Sequence, residues 1–312
     1  MKKVALSVAA LALTAGSALA ADLPSRKGPP VLPPPPPPAP LWTGFYVGLN
    51  AGGTWSNSNN ITYSSFPGGC NAAFPGCAAV PSSSQLLAAV SSGNISNGNQ
   101  GGFIGGGQIG YNWQFYNRFV VGVEADIQGI ASSRSNATSA AALQNPRFTN
   151  LLVQTTSVSR SLDYIGTVRG RLGWLATPTL LVYGTGGLAY GGVSLNYGSV
   201  GTELRDAGLP NSYFSGAAFS DTRVGWTAGG GVEWMFWPNW SAKVEYLYYD
   251  LGSVTVAASP LVNVAGPASA VPGGTYSSAF PQVTTRFNGN IVRAGLNYHF
   301  NWGAPAPIVA KY

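Results

Sequence analysis

Eight segments of the chain alternate between apolar residues and polar or small residues with a period of two, which is typical of half-buried β-strands. In the first segment Phe45, Val47 and Leu49 share one face, whereas Tyr46 and Asn50 share the other. The eight segments span residues 45–55, 103–114, 119–129, 162–174, 180–191, 224–236, 241–249 and about 288–300. Only 180–191 has an ambiguous facing, because both of its faces are apolar or small. Each segment has roughly the nine to eleven residues that a tilted membrane strand requires.

Two kinds of connection separate these segments. Short connections that carry Asn or Pro, as tight turns require, join segments two and three, four and five, and six and seven. Their sequences are FYNR, ATPT and WPNW. The other four connections, at about 56–100, 131–156, 192–221 and 252–285, are long and rich in Ser, Asn, Gly and Ala. This alternation indicates short periplasmic turns and long extracellular loops.

The composition favours a membrane protein that crosses the bilayer with strands. Only 8% of the 312 residues are charged, compared with roughly 25% in an average soluble domain. Beyond the N-terminus no stretch offers the roughly 20 consecutive apolar residues of a membrane helix. A closed barrel is the other way to satisfy every backbone group within a bilayer. We therefore expect an all-β fold, an eight-stranded antiparallel up-and-down transmembrane β-barrel.

Aromatic residues collect at the ends of the segments, where a barrel would meet the two surfaces of the membrane. The predicted periplasmic belt contains Trp42, Trp113, Phe115, Tyr116, Trp174, Trp234, Phe236, Trp237, Trp240, Tyr298, Phe300 and Trp302. The predicted opposite rim contains Trp55, Phe103, Tyr190, Trp226, Tyr246, Tyr248 and Phe287. A soluble sandwich has no reason to sort Trp to strand ends, so this placement also favours a membrane barrel.

The sequence divides into four regions. Residues 1–20 combine two lysines, an apolar core and an Ala-Leu-Ala cleavage site, which predicts a signal peptide. Residues 21–41 form a Pro-rich periplasmic linker that favours polyproline II, either as a spacer or as a docking strip for the cell wall or a periplasmic partner. The barrel spans 42–300, and 301–312 form a C-terminal periplasmic tail. We expect the cell outer membrane as the location.

The two cysteines, Cys70 and Cys77, lie close together in a Gly- and Pro-containing loop. In an oxidising compartment a local disulfide is the simplest interpretation, and a metal pair would need further ligands that are not nearby. The formal net charge of +6 includes no clustered run of Lys and Arg, so we expect no nucleic acid as a partner. We also expect no metal and no other cofactor.

Nearly all charged residues of the segments fall on the polar row that would face the barrel interior. These residues are Glu124, Asp126, Asp163, Arg169, Arg171, Glu233, Lys243, Glu245 and Arg293. An eight-stranded barrel is just wide enough to be filled by side chains, and buried charges must be paired. The row therefore predicts a network of ion pairs that fills the lumen. A proton path, a narrow pore or a solute site would use the same residues.

Two features that suggest an enzyme have simpler explanations. GGGQIG at 105–110 matches a dinucleotide-binding fingerprint in form, but it lies within an alternating segment and no helix follows. His299 is the only histidine, and no obvious Ser and Asp partners accompany it at the periplasmic end. We therefore interpret His299 as an interior or interfacial polar residue and the protein as a non-enzyme.

Several motifs together resemble a known family. They are ADLP at 21–24, the proline tract, WTGFYVGLNAGG at 42–53, LDYIGTVRGRLGW at 162–174, LLVYGTGGLAYG at 180–191 and VRAGLNYHFNW at 292–302. The chain resembles the outer-membrane immunogenic or surface-antigen proteins of alphaproteobacteria, a "porin family" related in fold to the OmpA transmembrane domain. The resemblance implies surface-exposed loops and roles in envelope integrity or host contact, and some relatives bind haem. It carries over no catalytic residue.

Near the end of the last segment, Gly295, Tyr298 and Phe300 resemble the C-terminal signal that the outer-membrane assembly machinery reads. Such a signal ordinarily ends the chain, whereas here twelve residues follow Phe300. Either the tail is an addition after the signal, or a second, weaker signal ends at Tyr312. Pro305 and Pro307 disfavour the tail as a paired strand, so we prefer the signal at Phe300.

The sequence thus predicts a structural and surface-interaction barrel with a side-chain-filled lumen, which acts in envelope integrity and as a surface antigen. The alternative is a narrow porin, or a protein that binds haem or another small ligand through loop aromatics. Those aromatics are Tyr63, Phe66, Phe74, Tyr213 and Phe214. The expected partners are outer-membrane lipid, lipopolysaccharide and the assembly machinery, with peptidoglycan and host surface molecules as further candidates.

Overall fold

The computed structural model describes residues 41–69, 82–96, 101–132, 135–144, 151–204, 211–264 and 275–300. The predicted signal peptide, nearly all of the linker, the C-terminal tail and the pair Cys70 and Cys77 lie outside these ranges. The elements in chain order are β1 (Gly44–Ser56), β2 (Asn60–Pro67), α1 (Ser83–Val90), β3 (Gly93–Ser96), β4 (Gly101–Phe115), β5 (Phe119–Ser132), β6 (Ser135–Gln144), β7 (Leu151–Thr177), β8 (Leu180–Leu204), β9 (Asn211–Trp237), β10 (Trp240–Ala257), β11 (Leu261–Val264) and β12 (Thr275–Phe300). Among the described residues no helix is long and apolar enough to cross a membrane.

Eight strands form a closed antiparallel ring in the order β1, β4, β5, β7, β8, β9, β10 and β12. The first and last strands of the ring pair with each other, with Phe45 opposite Phe300 and Leu49 opposite Leu296. The predicted eight-stranded barrel is therefore confirmed. The three short turns also lie where they were predicted, at 116–118, 178–179 and 238–239.

Alternate side chains of the ring face outward and inward as the period of two predicts. The outward row of β1 exposes Phe45, Val47 and Leu49, whereas Tyr46 and Asn50 are buried in the interior. The ambiguous segment 180–191 follows the same rule: Leu181 and Tyr183 point inward, and Val182 and Leu188 point outward. The outward apolar row is the surface that a bilayer would cover.

Four strands are much longer than the sequence pattern predicts, with 27 residues in β7, 25 in β8, 27 in β9 and 26 in β12. The predicted loops 131–156, 192–221 and 252–285 are therefore largely strand, which corrects their extent. At about 3.3 Å per residue and a tilt near 40°, β8 rises roughly 60 Å, whereas the apolar band of such a barrel is about 25 Å tall. The barrel wall thus continues well beyond the membrane at the end opposite the short turns.

The interior is filled in layers along its length. Nearest the short turns lies the turn-end cluster of Trp42, Val120, Leu175, Leu181, Tyr183 and Met235. The next level contains the charged side chains, which we call the charge layer. Beyond it, the lower apolar layer contains Ile104, Ile165, Ala189, Val193, Leu247, Tyr249, Leu251, Val254, Phe287 and Ile291. The middle apolar layer contains Ile61, Tyr63, Ile95, Val158, Leu195, Tyr197 and Val283.

The upper apolar layer lies at the far end of the described part of the barrel. It contains Leu87, Ala88, Val90, Leu152, Tyr213, Leu261 and Ala279. Helix α1 supplies the first three, so a short helix packs against the extended ends of the strands. Ser82 begins this helix with a capping box, in which its hydroxyl accepts from the Gln85 backbone N–H and the Gln85 side chain accepts from the Ser82 backbone N–H.

Two aromatic residues lie elsewhere than in the predicted membrane belts. Trp42 is fully buried in the turn-end cluster, where its Nε1 donates to the carbonyl of Pro178 over 3.0 Å. Phe287 is buried in the lower apolar layer. The sequence places each near a strand end but does not show whether its ring faces lipid or the interior. By contrast, Trp113, Trp174 and Trp234 are exposed on the outer surface.

Candidate functional site

The charge layer consists of four carboxylates and four cations that converge on the barrel axis. They are Glu124 and Asp126 on β5, Arg169 and Arg171 on β7, Glu233 on β9, Lys243 and Glu245 on β10, and Arg293 on β12. Each pair on one strand is separated by a single outward residue, so the alternation of the strand turns both members inward. All eight side chains are buried.

Arg169 and Arg293 bind the carboxylates in the centre of the layer. Arg169 donates to Glu124 at 2.5 Å, to Asp126 at 2.9 Å and to Glu245 at 2.9 Å. Arg293 donates to Asp126 at 2.9 Å and to Glu245 at 2.6 Å. These contacts join β5, β7, β10 and β12 across the interior. Planar guanidinium groups suit this arrangement, because their fixed fork of donors can satisfy several carboxylates.

Lys243 and Arg171 complete the layer on the side of the short turns. The Lys243 ammonium donates to both oxygens of Glu124, at 2.8 and 2.9 Å. Arg171 donates to Glu233 at 2.6 Å. The guanidinium of Arg171 also lies 4.0 Å from the centre of the Tyr183 ring, a cation–π contact.

Tyr46 is a member of the layer that the sequence prediction missed. Its hydroxyl donates to Glu124 at 2.7 Å and accepts from Arg171 at 2.8 Å. The hydroxyl thus connects the carboxylate of Glu124 to the guanidinium of Arg171. The ring occupies the space beside Gly110, where any Cβ would collide with it. The strand register could have revealed this position. Tyr46 points inward and pairs with Gly110, which in turn pairs with Glu124.

His299 has interior partners that the sequence did not reveal. Its Nε2 lies 2.8 Å from Ser241 Oγ and 3.5 Å from Glu233 Oε1, and the Ser241 hydroxyl donates to Glu233 at 2.6 Å. Both partners thus approach the same ring nitrogen, whereas a catalytic triad places Ser and the acid on opposite nitrogens. Trp42 packs edge-on against the imidazole, with ring centres 5.7 Å apart. The group is a buried polar cluster next to the charge layer.

Asp163 does not join the interior charges, although the sequence pattern predicts that it should. Its side chain is exposed, and the pairing of β7 with β8 shifts register between Leu162 and Tyr164. A β-bulge adds one residue to a strand and therefore reverses the facing of every residue on one side of it. Leu162 turns inward and packs against the lower apolar layer instead.

The residues of the predicted assembly signal lie at the end of the last strand. Gly295, Tyr298 and Phe300 belong to β12, and the rings of Tyr298 and Phe300 meet edge to face with centres 5.1 Å apart. Tyr298 is exposed on the outer surface of the barrel. Their arrangement leaves the two rings close to the short-turn end of the wall.

The arrangement of charges determines what the interior can do chemically. Four negative and four positive groups give a formally neutral layer, and each carboxylate contacts at least one cation directly. Within the described ranges no three His, Cys, Asp or Glu side chains are grouped so that they could hold a metal ion. The charges of the layer are thus paired with one another within the barrel.

Comparisons with known proteins agree with this architecture. The family model of the outer membrane protein β-barrel domain matches residues 7–300. The 31 kDa outer-membrane immunogenic protein of Brucella melitensis is 35% identical over 307 residues, which cover 96% of this chain and 100% of that protein. A 22 kDa outer membrane protein of Rhizobium leguminosarum is 32% identical over 150 residues, 47% of this chain and 53% of that protein.

Among solved structures, the crystal structure of the outer membrane protein OprG from Pseudomonas aeruginosa covers 83% of this chain and 97% of its own, with 10% identity and a TM-score of 0.35. The family model and the Brucella relative span almost the whole chain, and both carry the outer membrane in their names. The resemblance indicated by the sequence motifs is therefore confirmed. This chain belongs to the outer membrane protein β-barrel domain family, and its location is the outer membrane.

Proposed function

We propose that the protein is a non-enzymatic barrel that supports the outer membrane and presents its extended outer end as a surface antigen, with a lumen closed by side chains. The observation that carries this proposal is the charge layer, in which all eight charged groups are buried and contact one another. Opening a path through it would separate buried ions, each of which costs several kcal/mol to leave unpaired.

The apolar layers support the same proposal independently. An ion that passed the charge layer would next meet the lower, middle and upper apolar layers, where Ile291, Val283 and Ala279 of β12 are all buried. Apolar constrictions oppose permeation because they do not replace the hydration shell of an ion. Closure at several successive levels favours a structural role over transport.

The alternative functions, a narrow porin or a haem-binding or other small-ligand-binding protein, gain less support from the same structure. Of the loop aromatics on which a ligand surface would depend, Tyr63 and Tyr213 are buried in the middle and upper apolar layers. Phe66 and Phe214 are exposed, and Phe74 lies outside the described residues. Two of these rings therefore stabilise the extension of the barrel instead of forming a haem surface.

Deletion of the gene tests the structural role against transport. We expect cells without the protein to admit a large hydrophobic dye that an intact outer membrane excludes, and expression of the wild-type chain to restore exclusion. Uptake of small hydrophilic solutes should not fall in the deletion strain. Normal dye exclusion together with slower uptake of small solutes would contradict the proposal and favour a porin.

We also propose that Phe300 ends the signal read by the assembly machinery. Phe300 lies opposite Phe45 at the seam that closes the ring, so the signal and the closing strand coincide. Truncation after Phe300 should leave the amount of folded barrel in the outer membrane unchanged, whereas Phe300→Ala should reduce it several-fold. Immunoblots of membrane fractions, with and without heating, measure this. Loss of assembly on truncation, with Phe300→Ala unaffected, would assign the signal to Tyr312 instead.

A further inference from the structure

Apolar side chains are exposed on the outside of the barrel extension, at the level of the upper apolar layer. We call them the outer stripe: Val200 on β8, Phe214 on β9, Val262 on β11, Phe280 on β12 and Phe66 on β2. Exposed apolar patches that are rimmed by polar residues mark interaction sites.

Strand register makes the members of the outer stripe neighbours in pairs. Val200 lies directly opposite Phe214 in the pairing of β8 with β9. Phe280 lies directly opposite Phe66 in the pairing of β12 with β2. Side chains that are directly opposite in an antiparallel pair lie on the same face and contact each other.

The inner face of the wall connects the two pairs. The upper apolar layer brings together three residues from β9, β11 and β12, which are Tyr213, Leu261 and Ala279. The next residue in each strand is Phe214, Val262 or Phe280. Because successive side chains of a strand point to opposite faces, these three lie outside the wall at a common level. The outer stripe is therefore continuous across five strands.

The outer stripe lies well outside the bilayer. Tyr190 on β8 belongs to the predicted opposite rim, and Val200 lies ten residues farther along the same strand. At about 3.3 Å per residue and a tilt near 40°, the stripe is about 25 Å beyond that rim. The outward residues in between are small or polar, namely Gly192, Ser194, Asn196 and Gly198. Lipid therefore does not cover the stripe.

The surroundings of the outer stripe are uncharged. The neighbouring outward positions on β8, β9 and β12 include Thr202, Ser212, Gly216 and Gln282. On β12 the first outward charge below Phe280 is that of Arg286, six residues away. A charged partner surface would lose hydration here without gaining an ion pair. A second apolar, uncharged surface is the complementary one, and the stripe itself has this chemistry.

We propose that the outer stripe is the contact surface of a homodimer, in which two copies stand side by side about a twofold axis along the membrane normal. The bilayer holds every copy at the same height and in the same orientation, so a stripe about 25 Å above the rim meets the same stripe on its neighbour. The dimer rests on the outer-membrane location and is independent of whether the lumen conducts.

The size of the outer stripe fits a reversible dimer. Phe214, Phe66 and Phe280 expose 78%, 55% and 46% of their surface. An aromatic side chain offers roughly 150–250 Å², so with the two valines the stripe presents on the order of 500 Å² per copy. Two copies would bury about 1,000 Å², near the lower limit of specific interfaces. The membrane already restricts orientation, which lowers the entropy cost of association.

Förster transfer between copies of the refolded full chain in phosphatidylcholine vesicles tests the dimer. Copies carry amine-reactive donor or acceptor dyes, and the protein-to-lipid ratio is varied to obtain the association constant. We expect the wild type to exceed the transfer of randomly distributed copies. Phe214→Glu should weaken the association constant by about tenfold or more, because it places an unpaired carboxylate in the contact.

Thr138→Glu is the matched control, since Thr138 is exposed on β6, outside the outer stripe, and receives the same charge. It should associate like the wild type. Phe280→Glu, on a different strand, should reproduce the loss and keeps the test valid if Phe214→Glu does not fold. Association of both stripe variants equal to that of Thr138→Glu would assign the contact to the lipid-facing wall and overturn the proposal. Random transfer in the wild type would also overturn it, in favour of lipopolysaccharide sugars or another protein as the occupant.

Discussion

The charge layer and the apolar layers above it fill the same barrel by different means. At the level of the membrane, the inward-facing residues include Glu124, Asp126 and Arg169. Farther from the short turns, the inward-facing residues of β8 are Val193, Leu195 and Tyr197. Side chains are almost completely buried in both the charge layer and the apolar layers. The two regions differ in how strongly each residue depends on its neighbours, and this difference determines how each region should respond to substitution.

In the charge layer, one side chain serves several strands at once. Glu124 on β5 contacts Arg169 and Arg171 on β7 and Lys243 on β10, and it also accepts from Tyr46 on β1. Its removal leaves four cations and three carboxylates in a buried layer, a net positive charge that no other group in the layer compensates. In the apolar layers the loss of a side chain leaves only a cavity, whose cost depends on how far the neighbours can relax. The first region is therefore closed by coupled electrostatics and the second by packing.

The largest effect is expected for Glu124→Gln, which keeps the shape of the side chain but removes its charge. The free energy of unfolding should fall by about 3–5 kcal/mol, because breaking a buried ion pair leaves its partners uncompensated. Urea denaturation of the refolded barrel in lipid vesicles measures this change.

Arg286→Gln is the matched control for that substitution. Arg286 pairs with Asp250, but its side chain is 55% exposed, so water can replace it, and its loss should lower the free energy of unfolding much less than Glu124→Gln does. Equal losses of stability in the two variants would contradict strong coupling in the charge layer, because Arg286 takes part in a single, half-exposed ion pair.

A smaller effect should separate two buried tyrosines, one in each region. Tyr46→Phe removes a hydroxyl that joins Glu124 to Arg171 and should lower the free energy of unfolding by about 1–3 kcal/mol. The hydroxyl of Tyr213, in the upper apolar layer, has no hydrogen-bond partner among the described residues. Tyr213→Phe should therefore be neutral or slightly stabilising in the same urea titration. If Tyr213→Phe lowered the free energy of unfolding more than Tyr46→Phe, the result would contradict the view that polar contacts stabilise the charge layer and apolar packing stabilises the upper layer.

The sequence predicted the charge layer better than the extension of the barrel, for a physical reason. Around Glu124 or Lys243 the alternation sets charged residues against large apolar ones, so the facing is unambiguous. In residues 192–221 the alternation sets Val193, Leu195 and Tyr197 against Ser194 and Asn196, a contrast that also occurs in polar loops. The pairing of residues 192–204 with β7 and β9, a long-range property, makes them part of a strand.

The remaining errors come from single-residue changes in register and from contacts between distant strands. The bulge at Leu162 exposes Asp163, and no local pattern in the sequence marks it. Ser241 and Glu233 meet His299 only because β9, β10 and β12 are neighbours in the ring. The inward position of Trp42 likewise involves contacts that are distant in sequence, since its Nε1 donates to the Pro178 carbonyl and its ring packs against His299.

Single-channel recording in a planar bilayer tests the closed interior most directly. With the refolded full-length protein inserted, the bilayer should stay at its baseline current at moderate voltage, because the charge layer and three apolar layers close the lumen. A steady conductance of uniform size in the wild type would contradict it, since a permanent aqueous path cannot pass through ion pairs that remain formed.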